Sequence, residues 1–97
     1  MEKIIFFRQG VEYTIQKSEV IRVMQSSEID NLNDTDFAVM VIDGQPTVLL
    51  EPAKLFGRET IKQSLWKYPN FIFIMRRDGD VGRGIFVDNL KWGIFRE

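Results

Sequence analysis

The sequence predicts an all-β fold, a small antiparallel barrel, and three observations carry that expectation. Short runs rich in Ile, Val and Phe recur along the chain, and some alternate with the period of two that a half-buried strand requires. Turn dipeptides separate them at close intervals: Gln9-Gly10, Asp43-Gly44, Asp78-Gly79 and Asp88-Asn89. Helical patterning is confined to a weak, polar connector at residues 58–67 (RETIKQSLWK) and to single turns.

The elements follow in order. Residues 3–8 (KIIFFR) form an apolar first strand, Gln9-Gly10 turns the chain, and residues 11–15 (VEYTI) alternate as the return strand of a hairpin. Ser18 is placed to cap one helical turn over 18–21. Residues 20–24 (VIRVM) set β-branched side chains on either side of Arg22, as a third strand does. Residues 25–36 (QSSEIDNLNDTD) are a polar loop. Residues 38–42 then make a buried strand, Asp43-Gly44 a tight turn and residues 47–50 the return strand. Pro52 suits the first position of a helical turn, and Gly57 suits its left-handed stop.

In the connector, Ile61, Leu65 and Trp66 are candidates to face inward, and Tyr68-Pro69-Asn70 breaks it. Residues 71–75 (FIFIM) read as a central strand, residues 76–81 as a turn, residues 84–87 (GIFV) as its partner and residues 90–95 (LKWGIF) as the last strand. That makes eight strands in all.

Composition narrows the function. Ninety-seven residues suit one small domain, with 44% apolar and 28% charged residues. The net charge of −1 supplies no long-range attraction for nucleic acid or an anionic membrane. No apolar run is long enough to cross a bilayer, and MEKIIFF is too short for a signal peptide, so a cytoplasmic protein is expected. There is no cysteine and no histidine. Thiol nucleophiles, disulfides and zinc–thiolate sites are therefore excluded, as are the commonest general base and metal ligand. Ser18, Ser26, Ser27 and Ser64 have no histidine to activate them and read as cap and loop residues.

The remaining motifs resolve into turn chemistry. Glu28 and Asp30, Asp34 and Asp36, and Asp78 and Asp80 form close carboxylate pairs. The loop from Asp30 lacks the glycine and closing glutamate of a calcium loop, and Asp78 and Asp80 flank a turn glycine. Gly79, Gly82 and Gly84 resemble a phosphate loop, but a strand follows where a helix is needed. Such glycines relieve a bulge or a close backbone crossing. Arg83 to Val87 hints at the aromatic strand of RNA-recognition domains without its second aromatic. Arg76-Arg77, near Lys67, is a local basic spot; Trp66 and Trp92 suit either an interface or the core. No enzyme, cofactor or metal is expected.

Taken together, Ile4-Ile5-Phe6-Phe7, Val20-Ile21-Arg22-Val23, Val41-Ile42-Asp43-Gly44, the stretch 47–57 (TVLLEPAKLFG) and 84–90 (GIFVDNL) resemble, in order and spacing, the CheW-like coupling domain of bacterial chemotaxis. The resemblance spans nearly the whole chain. It implies SH3-like β-barrels packed side by side, here a first barrel at roughly 11–57 and a partial second subdomain at roughly 1–9 and 70–97. It also implies a non-catalytic adaptor that links chemoreceptors to the regulatory domain of the chemotaxis histidine kinase.

Three departures from the family pattern add expectations. Family members continue for further strands beyond the position of Glu97, so an incomplete second barrel with unpaired edges and a homodimer are expected. The family's glutamate and arginine, which pair across the first barrel, fall at Arg22 and Asp43, so a charge-exchanged ion pair between these two is expected. The family's aspartate at the helical turn falls at Glu51, a poorer cap, and its Leu and Arg are replaced by Pro52 and Ala53. The expected partner-binding residues are Arg22, Val41, Ile42, Asp43 and Gly44. The partners are proteins, with no nucleic acid and no membrane insertion. The alternative function is a small nucleic-acid-binding barrel, which would need clustered Lys and Arg beside exposed aromatics.

Overall fold

Residues that need a left-handed backbone sit where the hairpins turn. In the computed structural model, which describes residues 2–29, 37–57, 67–77 and 79–96 and no side chain at 37 or 92–96, Gln9 and Gly10 have φ of 53° and 77°, and Asp43 and Gly44 have 52° and 77°. Two consecutive positive φ values define the tight turn whose twist matches that of the strands it joins. These turns fix the registers of β1 (Glu2–Arg8) with β2 (Val11–Gln16), and of β4 (Phe37–Ile42) with β5 (Gln45–Leu50).

The remaining elements are β3 (Val20–Gln25), α1 (Pro52–Leu55), β6 (Phe71–Met75), β7 (Gly82–Val87) and β8 (Asn89–Arg96), with 3-10 turns at Lys17–Glu19 and Ser26–Glu28. All eight expected strands are present, with no end shifted by more than two residues. The helical turn expected from Ser18 is a 3-10 turn starting one residue earlier, and no side chain caps it. Pro52 opens α1, and Gly57 follows it with φ of 69°. Asp30, Asp34, Asp36, Ile61, Ser64, Leu65, Trp66, Asp78 and the side chain of Trp92 lie outside the described residues.

The fold is all-β, in two sheets: a three-stranded sheet in the order β2-β1-β8 and a five-stranded sheet in the order β3-β6-β7-β5-β4. One pair, β5 with β7, is parallel, which corrects the purely antiparallel expectation. Among the described residues neither sheet closes into a barrel. Both sheets draw strands from the 11–57 segment and from its flanks, so the two segments interleave.

Two clusters of apolar side chains lie on the two faces of the five-stranded sheet. On one face Phe73, Met75, Ile85 and Val87 pack against Phe6, Tyr13 and Ile15 of β1 and β2. The Phe6 ring stacks on Tyr13 at 5.3 Å and meets Phe73 edge-on at 5.2 Å. Each fully buried side chain of this size stabilises the fold by about 1.5–3 kcal/mol. On the other face Ile72, Ile74, Phe86 and Leu49 gather Met24 from β3, Ile42 from β4 and Ile29. Residues 72–75 of β6 and 84–87 of β7 are therefore buried on both faces, which explains their unbroken apolar runs.

Gly84 permits this packing. A Cβ there would lie 2.6 Å from Leu49 Cδ2 and 3.1 Å from Ile72 Cγ2. The position is occupied by neighbouring side chains, so the glycine serves close packing and not phosphate binding.

Candidate interaction seam

The five-stranded sheet is strongly curled. Strands β3 and β4 are its two outer members, and in a flat sheet four inter-strand steps would hold them about 19 Å apart. Instead Arg22 of β3 forms an ion pair with Asp43, at the turn that follows β4. The core agrees, since Met24 and Ile42 join one cluster. The two strands face each other without hydrogen-bonding.

Between them lies a half-open gap of about 420 Å³. Met24 and Ile29 line one side, and Met40 and Ile42 the other; Arg22, Glu28 and Asp43 form a charged rim. Glu28 is held by accepting a hydrogen bond from the Gln25 backbone N–H at 2.8 Å, and its carboxylate lies 3.6 Å from Arg22. One arginine thus serves two carboxylates, which leaves the rim net negative. The hydrogen bond and charge of Asp43 raise the pKa of Arg22, so it remains cationic at any physiological pH. Because all three side chains are solvated, this pairing shapes the surface far more than it stabilises the fold.

The structure brings the expected pair together, and four of the five expected site residues line the gap: Arg22, Val41, Ile42 and Asp43. Their roles differ. Val41 is 73% exposed, whereas Ile42 is buried in the core and forms part of the floor. Gly44 is not among the residues that line this gap, and its positive φ serves the turn. Glu28, Ile29, Met24 and Met40 were not anticipated. Glu28 and Ile29 come from the 3-10 turn after β3 and its C-cap, and Met24 and Met40 lie on the same strand faces as Arg22 and Ile42, a signal the period of two contains.

A second polar cluster is internal. Arg8 is only 1% exposed. Its Nε and Nη2 donate to the two carboxylate oxygens of Glu51 at 2.7 and 2.8 Å, and its Nη1 donates to Asp88 at 2.7 Å. The other oxygen of Asp88 accepts from the Gln9 backbone N–H at 2.7 Å. The guanidinium also lies 5.5 Å from the centre of the Phe86 ring. Glu51 makes no side-chain cap on α1; its carboxylate is turned to Arg8 instead. The cluster therefore ties together the β1–β2 turn, the entry to α1 and the bend where the chain leaves β7 for β8.

Burial works to lower the Arg8 pKa, but the hydrogen bonds and charges of Glu51 and Asp88 outweigh it and hold the value above the ordinary one. The stability linked to that shift is present at every pH below the ordinary arginine value. It is lost only as the pH rises through the raised one.

Among the described residues no group of three acidic side chains converges as a metal site, and no helix is long and apolar enough to cross a membrane. No family model and no curated protein matches the chain.

Proposed function

We propose that this chain is a non-catalytic protein–protein interaction module, a CheW-like adaptor in chemotaxis-type two-component signalling that links a receptor to a histidine kinase. On this reading the curled five-stranded sheet is a member of the SH3-like barrel class with one open seam. The observation that carries the reading is the Arg22–Asp43 ion pair across that seam. The resemblance to the CheW-like family anticipated a charge pair between these two positions, with the signs exchanged. A solvated pair of this kind adds little to stability, and its presence at the mouth of the gap is best explained as surface recognition.

The edges of β3 and β4 have no strand neighbour on the seam side among the described residues. They suit a partner strand or loop that adds to a sheet edge, with main-chain hydrogen bonds giving affinity and Val41, Arg22 and Asp43 giving selectivity. The exchanged signs imply a partner with a correspondingly altered charge pattern. Affinity capture from the native cell, with Asp43→Arg as the control, tests the function. Capture of a signalling kinase or receptor that is lost in the control is the expected result. Capture of RNA by both forms would overturn the reading.

A further inference from the structure

The small sheet covers only part of the five-stranded sheet. One row of paired residues crosses the covered face: Met75 on β6, Arg83 on β7, Val48 on β5 and Val39 on β4. Exposure rises along it from 4% at Met75 to 60% at Val39. In the next row Val41 pairs with Pro46, both exposed, and exposed Val81 precedes β7. An aliphatic patch is thus left beyond the small sheet.

Arg83 stands in this row with its Nε buried and without an acceptor. It makes no ion pair and no hydrogen bond with any described side chain. Arg76 and Arg77, exposed where β6 ends, also lack an ion pair; Arg77 donates only to the Gly79 carbonyl. Asp80, on the same turn, pairs with none of them. Arg83 is only half-buried, so a ligand carboxylate can reach its guanidinium from the patch and, with a small shift of the side chains that cover Nε, supply the acceptor it lacks; a charge-assisted bond is the strongest kind available.

We propose that this patch is a docking surface for an acidic, aliphatic polypeptide segment of a partner protein. Aliphatic side chains of the segment cover Val39, Val41 and Val48, a carboxylate reaches Arg83, and Arg76 and Arg77 orient the approach. Among the described residues the aliphatic patch offers no ring for base stacking, which favours a polypeptide over nucleic acid. The surface meets the seam at Val41, but Met40 and Ile42 line the seam from the other face of β4, and the seam's rim has the opposite net charge.

The test is fluorescence anisotropy on the full chain with a short fluorescein-labelled peptide of alternating Asp and Leu. A Lys–Leu peptide and an oligo-dT strand serve as competing probes. The Asp–Leu peptide is expected to bind, less tightly as salt rises, and to lose about tenfold in affinity with Arg83→Met and with Val39→Ser/Val41→Ser. Arg83→Lys keeps the charge but not the Nε donor and is expected to lose less. Asp43→Asn is expected to leave binding unchanged. No binding up to about 1 mM, the weak end of specific recognition, overturns the proposal. So does equal binding of the Lys–Leu peptide, tighter binding of oligo-dT, or full affinity in a folded Arg83→Met variant. If Arg83→Met does not fold, amide NMR shifts of the wild type on adding the Asp–Leu peptide decide. Shifts confined to residues outside 39–48 and 81–83 overturn it.

Discussion

Replacing Arg8 by methionine tests the internal ion cluster directly. Methionine matches the length of the stem and removes the charge, leaving the Glu51 carboxylate, 2% exposed, without its two strongest donors. Removing one partner of a buried pair costs about 3–5 kcal/mol, because the surviving charge is stranded in a poorly polarisable interior. A domain of this length has a total stability of roughly 5–15 kcal/mol. The variant is therefore expected to lose a large share of its stability, with Tm lowered by about 12 °C or more.

The paired variant Arg8→Met/Glu51→Leu removes both buried charges and leaves Asp88, which is partly solvated. It is expected to be more stable than Arg8→Met alone, since an apolar pair of similar volume is often neutral to the fold. Urea unfolding of the wild type, both single variants and the double variant gives the coupling energy as a cycle. A cost below about 1 kcal/mol for Arg8→Met, the range of a solvated pair, would refute the claim that this cluster is a buried structural clamp. A double variant as unstable as the sum of the singles would refute it as well.

Other outcomes follow from the same geometry. The Arg8–Glu51 coupling energy is expected to persist from neutral pH to about pH 11, because the raised Arg8 pKa delays any loss to still higher pH; an earlier decline in urea-unfolding cycles at two pH values would contradict the assignment. Gly84→Ala is expected to cost about 1–3 kcal/mol, since its Cβ would press on Leu49, which is fully buried; chemical denaturation measures it. Asp43→Asn is expected to leave Tm unchanged, because asparagine tolerates the left-handed backbone of the turn, while weakening capture of the partner protein. Gly44→Val is expected to destabilise the β4–β5 hairpin in thermal melts, because its φ of 77° is hostile to a β-branched side chain.

Much of this architecture was legible from residue order. The Gln9-Gly10 and Asp43-Gly44 turns, the alternation of residues 11–15 and the buried runs at 71–75 and 84–87 all describe local chemistry, and each strand stands within a few residues of its expected place. The Arg22–Asp43 contact was legible only through a family resemblance, because nothing within either strand points to a partner 21 residues away. The Arg8 cluster was not legible at all. Its bonds span 43 residues to Glu51 and 80 to Asp88, and Glu51 was expected at the start of a helical turn.

Local residue types therefore determined where this chain extends and where it turns, since strand period and left-handed φ depend on a residue and its immediate neighbours. The tertiary structure alone decided the parallel pairing of β5 with β7, the curl that brings β3 opposite β4, and the burial of Arg8 between two carboxylates. Those outcomes depend on which apolar faces cover one another across long loops. Only that packing fixes which charges are left in solvent, which are buried together, and which, like Arg83, stand beside an uncovered apolar face.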